Sequence, residues 1–252
     1  MSSNRVLRRA VIAAAALITV VAIVTLVPSL RARALGLVAT GGRRFTVDER
    51  LAEFAPSVEP KLRDACAAAG AAYPPSSLIL VGLKRERELR AYVPDGNGAM
   101  RLAKAWPILA ASGGPGPKLR EGDCQVPEGT YRIESLNPNS RFHVALRVGY
   151  PNDEDLAQAK IDGRGTSTLG GDIMIHGSDV SIGCLAMGNG AIEEVFLLAA
   201  RTGIERIEVV LCPGASPLRF IGETTPAWLA ARYRLLAERL YAIDAGLVNN
   251  KK

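Results

Sequence analysis

Two histidines and four cysteines are all the chain holds among 252 residues, and no Cys-x-x-Cys pair occurs. A metal site of three or four ligands would therefore have to be built mainly from carboxylates, which disfavours metal catalysis. No segment has the GxxxxGK[ST] spacing of a phosphate loop. The richest glycine stretch, Gly113-Gly114-Pro115-Gly116-Pro117-Lys118, contains two prolines that remove backbone donors, so it reads as a loop between strands. Acidic residues are missing from the first 44 positions, where seven arginines fall. The remainder carries 24 basic against 25 acidic residues, so the net charge of +6 belongs to the amino-terminal segment and no basic footprint for nucleic acid remains.

Against these absences stands the run His176-Gly177-Ser178-Asp179-Val180-Ser181-Ile182-Gly183-Cys184, which sets one of the two histidines near a cysteine on a glycine-punctuated loop. A random Cys/His pair is most often a small buried hydrophobe and a satisfied core imidazole. The flanking sequence points elsewhere. Residues 170–175 read as a short apolar strand ending at His176, and Gly177 lets the chain turn away at once. A cysteine attacks carbonyl carbon as the thiolate, and a neighbouring imidazole can lower a thiol pKa from about 8.5 to roughly 3.5–7.5. Gly183 permits close backbone approach beside the sulfur, and its N–H or that of Cys184 is positioned to help bind an oxyanion.

Together with the upstream Lys118, Gly122-Asp123 and Pro127-Glu128-Gly129-Thr130-Tyr131, this run resembles the L,D-transpeptidase (YkuD-type) catalytic domain of the bacterial cell envelope, closest to its YafK-like branch, over residues 78–211. The resemblance implies acyl transfer on peptidoglycan stem peptides through a thioester and requires no cofactor. By that resemblance Cys184 is the nucleophile, His176 the general base and acid, and Gly177, Ser181 and Gly183 shape the site. An envelope protein attached to peptidoglycan is a further partner the resemblance allows. The commoner family pattern, Ser-His-Gly-Cys-(Ile/Val)-Arg, is broken twice, by Ile182 in place of its histidine and Ala186 in place of its arginine. An arginine is a natural binder of carboxylate, so the change bears on acceptor choice. Three readings stay open: a transpeptidase with an amine acceptor, a hydrolase that admits water and cleaves a crosslink or releases an attached protein, and a peptidoglycan-binding protein without turnover.

Residues 10–30 carry no charge and are dominated by Ala, Val, Ile and Leu, with arginines on both sides. About 20 apolar residues span a bilayer, whereas the apolar region of a cleaved signal covers about 7–15, and Ala32-Arg33-Ala34 is a poor cleavage site. The expectation is an amino-terminal membrane anchor over 1–34, its single helix spanning 10–30, with the rest outside the cytoplasmic membrane; secretion after signal cleavage is the alternative. A linker and helical region follows over 35–77, with a helix capped by Ser57 and ended by Gly70 that places Cys66 in the core. Strands are expected at 78–83, 89–93, 100–110, 129–135, 142–148, 172–176 and 206–211, joined at first by a charged turn over 84–88. The predicted fold is mainly β with attached helices (α+β), a catalytic domain over 78–212 and a helical extension over 213–252. On the strand 142–148, His143, Ala145 and Arg147 share a face, and Arg147 or Arg141 is a candidate substitute for the missing arginine. Cys66, Cys124 and Cys212 are candidates for a disulfide that the sequence does not pair.

Overall fold

Leu78–Leu83 (β1) is apolar at every position except one glycine, and all six residues are buried. A strand with no polar face belongs in the middle of a sheet covered on both sides. The computed structural model, which describes residues 43–181 and 183–247, places it there. β1 pairs antiparallel with β2 (Glu88–Pro94) and parallel with β9 (Ile207–Cys212). Among the described residues the sheet has nine strands in the order β3-β2-β1-β9-β5-β6-β7-β8-β4, with β3 at Met100–Pro107, β4 at Ala110–Ala111, β5 at Gly129–Ser140, β6 at His143–Val148, β7 at Met174–His176 and β8 at Leu185–Ala186.

Alternation along the central strands divides the core. Leu78, Leu80, Ile207, Val209 and Leu211 face one apolar cluster, formed with helices α1 (Val47–Ala68) and α3 (Asn189–Thr202). Ile79, Val81, Leu83, Val210 and Cys212 face the other, closed by Tyr233, Leu236, Leu240 and Ile243 of α4 (Ala227–Asp244). Each such apolar side chain contributes about 1.5–3 kcal/mol on burial, so α4 is part of the fold's core and not an appendage. Residues 45–247 form one compact unit.

The cap of α1 lies eleven residues before the expected Ser57. Thr46 caps it through a capping box with Glu49, and Pro56 and Pro60 lie inside it. Its buried residues Arg50, Phe54, Val58, Leu62 and Cys66 recur every fourth position straight through the prolines. Packing against the sheet outweighs the donors the prolines remove. α2 (Asp153–Ile161), which the sequence reading lacked, is opened by a capping box between Asn152 and Asp155. The expected third strand divides into β3 and the separate edge strand β4.

Lys84 is not part of a solvated charged turn. It is 8% exposed, and its Nζ donates to Gly116 O at 2.9 Å, Val126 O at 3.0 Å and Glu128 Oε1 at 2.9 Å. Tyr233 OH donates to the other Glu128 oxygen at 2.7 Å. One buried carboxylate thus ties the glycine-rich loop, β1 and α4 together.

The three cysteines expected as disulfide candidates are free thiols. Cys66 and Cys212 sit in the cores on opposite faces of the sheet, which excludes a bridge between them. The expected membrane helix over 10–30 lies outside the described residues. Among the described residues no helix is long and apolar enough to cross a membrane.

Candidate active site

Four short strands at one end of the sheet assemble the site by register. β6 and β7 pair antiparallel with Ala145 opposite His176 and Arg147 opposite Met174. β7 and β8 run parallel with Ile175 beside Leu185 and His176 beside Ala186. β4 pairs antiparallel with β8, Ala110 opposite Ala186 and Ala111 opposite Leu185. Side chains directly opposite one another share a face, and so do residues two apart on a strand. Extending the ladder by one residue makes a row of Arg147, Met174, Cys184 and Ser112, flanked by a second row of Ala145, His176, Ala186 and Ala110. Cys184 and His176 are therefore diagonal neighbours on one face, a relation that spans roughly 7–8 Å of backbone and lies within reach of an imidazole.

His176 ends β7 because Gly177 follows it. A Cβ on Gly177 would lie 2.6 Å from Phe142 O and 2.8 Å from Asn189 Oδ1, so only glycine fits. Asn189, the first residue of α3, also accepts the Ser178 N–H at 3.0 Å. The imidazole is 2% exposed and stacks on Phe142 with ring centroids 4.7 Å apart. Its Nδ1 lies 2.6 Å from Gly177 O. A carbonyl oxygen only accepts, so the proton sits on Nδ1 and Nε2 is left with its lone pair. Burial lowers the His176 pKa and the Gly177 carbonyl partly opposes it, so the ring is neutral near pH 7.

The thiol of Cys184 is held from the β7 side. Its Sγ donates to Asp172 O at 3.6 Å. Burial pushes its pKa up, the Met174 N–H pulls it back, Asp172 pushes it up and the nearby Lys118 charge lowers it. The balance is a raised value, so the expected lowering by a histidine partner is not what this arrangement displays. Its sulfur donates to a backbone carbonyl and is desolvated by burial, which stabilises the thiol over the thiolate.

The turn before Cys184 is organised by two hydroxyls. Ser181 Oγ accepts the Cys184 N–H at 3.1 Å and donates to Cys184 O at 2.5 Å. Gly183, at φ +92°, donates its N–H to Ser112 Oγ. Both amides expected to face an oxyanion are thus engaged by side-chain oxygens. Ile182 lies outside the described residues. Ser112 was not among the residues singled out from the sequence; it follows β4 and meets Gly183 from 71 positions away. Only the β4–β8 pairing brings it in.

The upstream motif braces the loop beside the site. Lys118, 7% exposed, donates to Asp123 Oδ1 and Arg120 O, each at 2.8 Å. Asp123 accepts the backbone N–H groups of Leu119, Arg120 and Gln125 at 2.7, 2.9 and 3.1 Å. Gln125 O reaches to 3.5 Å of where a Gly183 Cβ would stand. Arg147 bonds Glu134 Oε2 at 2.9 Å and Asp172 Oδ1 at 3.0 Å, the same Asp172 whose carbonyl meets Cys184. His143, at positive φ, leaves that face and pairs with Glu193 of α3 at 2.8 Å. Arg141 is exposed. Among the described residues, no group of three or more His, Cys, Asp or Glu comes together as a metal site.

Fold and site together describe a mixed α+β domain that presents an imidazole from the end of β7 and a thiol from the turn just before β8. The chain belongs to the L,D-transpeptidase (YkuD) catalytic domain family, whose profile matches residues 76–209, more than half of its length. It is 42% identical over 115 residues to YafK of Escherichia coli strain K12, whose curated name gives L,D-transpeptidase as a provisional activity. That match covers 45% of this chain and spans 43% of the relative. Among solved structures, the helical cell shape determining protein Pgp2 of Campylobacter jejuni is 19% identical, covering 77% of this chain and 79% of its own at a TM-score of 0.44. Bd1075 of Bdellovibrio bacteriovorus is 16% identical, covering 66% and 56%, with a TM-score of 0.39. Likenesses this distant carry no residue roles.

Proposed function

We propose that the protein is a cell-envelope cysteine acyltransferase of the L,D-transpeptidase type, acting on peptidoglycan stem peptides through a thioester on Cys184. One arrangement supports the reading: the β7–β8 register, continued by one residue, sets Cys184 diagonal to His176, whose tautomer is fixed so that Nε2 accepts a proton. Because burial keeps both groups neutral, the proton moves as the bond forms. His176 Nε2 takes the thiol proton while sulfur attacks the amide carbonyl carbon. The carbon–nitrogen bond then breaks, and the imidazolium gives its proton to the leaving amine. The acceptor attacks the thioester, loses a proton to Nε2, and the thiol is restored. Ser181 holds the nucleophile's own amide, Gly183 makes the turn possible and Gly177 sets the ring.

A hydrolase that uses the same steps with water is the second reading, and Ala186 favours it. That residue is fully buried in the position where the commoner pattern places an arginine, so the row beside His176 offers no guanidinium to orient a carboxylate-bearing acceptor. We place the domain outside the cytoplasmic membrane, anchored through residues 1–34, where its substrate would be.

Mass spectrometry of muropeptides incubated with the purified full chain, wild type and Cys184→Ala, with and without an added amine acceptor, tests both readings. Amine-dependent crosslinked or exchanged products that vanish in the variant establish the transpeptidase. Shortened or separated peptides formed in water alone establish the hydrolase, and identical products from both proteins refute Cys184 as nucleophile.

A further inference from the structure

We propose that Ser112 is a positioning residue for the nucleophile, its hydroxyl clamping the Gly183 amide so that the turn delivers Cys184 to the cleft face of the sheet. The inference rests on Cys184 being the nucleophile.

The register makes the case first. Ser112 is the residue after the edge strand β4, and the β4–β8 ladder, continued by one pair, sets it opposite Cys184 with its side chain on the same face. β4 is only two residues long and half-buried, and contributes little apolar surface to the core. What it does contribute is the placement of a hydroxyl at the end of β8.

The hydrogen bonds give the second part. A turn through a glycine at φ +92° is open to many conformations, because glycine carries no steric preference for one of them. Two consecutive amides in that turn, those of Gly183 and Cys184, are fixed by two hydroxyl oxygens from different segments, Ser112 and Ser181. The hydroxyls are 3.5 Å apart, in reach of each other. Ser181 belongs to the turn itself. Ser112 does not: the loop it opens is braced by Lys84 through Gly116 O, and Lys84 is itself bonded to Val126 O and the buried Glu128. Ser112 is thus the link between the glycine turn and a segment tied to the core by buried hydrogen bonds. A clamp of this kind sets where the sulfur points, and a misplacement near 1 Å costs about 100-fold in rate.

Ser112→Ala, Ser112→Thr and Cys184→Ala, compared with wild type as full chains on muropeptides, test this. The Ser112→Ala variant is expected to lose about 10- to 100-fold in kcat with KM changed less than about threefold, because the contact acts on the reacting sulfur and not on substrate binding. Its unfolding midpoint is expected to fall by only a few degrees, the consequence of one half-buried hydrogen bond. Ser112→Thr keeps the hydroxyl and is expected to restore most of the rate. The pH profile of Cys184 alkylation by iodoacetamide is expected to move to lower pH in Ser112→Ala, since a loosened turn exposes a thiol whose proton burial now retains. Turnover within threefold of wild type, failure of threonine to restore it, or an unmoved alkylation profile overturns the inference while leaving the nucleophile intact. Turnover retained by Cys184→Ala instead refutes the functional reading itself.

Discussion

Replacing Arg232 with methionine is expected to unfold the protein more readily by about 3–5 kcal/mol at pH 7, the cost of leaving a buried partner uncompensated. The guanidinium is 4% exposed and its partner Asp155 is 5% exposed, at 2.9 Å. Arg232 also donates to Glu154 Oε1 and to Glu128 O, both at 3.0 Å, so it joins α4 to α2 and to the start of β5. Without it Asp155 keeps the Tyr131 hydroxyl at 3.1 Å and the Asn152 N–H at 3.2 Å, but no positive charge. For a domain of this size about 2–4 °C of midpoint accompanies each kcal/mol, so the variant should melt about 6–20 °C lower. The pH dependence has a definite sign. Burial already pushes the Asp155 carboxyl above its ordinary range, with Arg232 the main opposing influence. Removing Arg232 raises it further, and a carboxyl whose folded pKa exceeds its unfolded one loses stability as pH rises through the folded value. The deficit should therefore be smaller at pH 4.5 than at pH 7, and Arg232→Met with Asp155→Asn should recover most of it. Urea unfolding of wild type, Arg232→Met, Asp155→Asn and the double variant at both pH values is the assay. A single variant within 1 kcal/mol of wild type, or a deficit that grows on acidification, refutes the reasoning.

Two further outcomes follow from the site. Iodoacetamide should label the exposed Cys124 well before Cys184 at pH 7, because burial holds the Cys184 thiol protonated; peptide mapping that finds Cys184 labelled first would contradict a neutral nucleophile. Gly177→Ala should lower turnover at least tenfold while costing about 1–3 kcal/mol of stability, since its Cβ meets a backbone oxygen at 2.6 Å and His176 must move to relieve it. Wild-type turnover in that variant would show that the ring position is not set by this turn.

The Cys184 loop and most strands were legible because their signals are local. β1 at Leu78–Leu83 is a continuous apolar run, and β7 ends where the sequence places His176 against Gly177. The stripe Tyr233, Leu236, Leu240 and Ile243 of α4 has helical spacing and is buried as such. α1 was cut short because Pro56 and Pro60 are read as boundaries when only neighbours are weighed, although the four-residue stripe from Arg50 to Cys66 ignores them. α2 buries only Asp155 and Ala159, so no apolar periodicity announced it, and its single cue was Asn152 three positions before Asp155. β4 and β8 are two residues each, below the length at which alternation means anything. Ser112 was illegible for that reason: nothing in Ala111-Ser112-Gly113 carries information about Gly183 until a sheet is closed between them.

The same sheet bears on the acceptor. Ala186, His176 and Ala145 form one row, and a guanidinium at 186 would stand directly beside the imidazole. Arg147 is two residues further along β6, in the row of Met174 and Cys184, and reaches Asp172 rather than the ring. Arg147 is therefore two strands from Cys184, with Met174 between them, and it is engaged by Glu134 and Asp172. The row of the imidazole itself is filled by alanines, so under the proposed function no guanidinium stands beside Nε2 to hold a carboxylate-bearing acceptor where deacylation takes its proton, and that absence favours the hydrolase as the second reading.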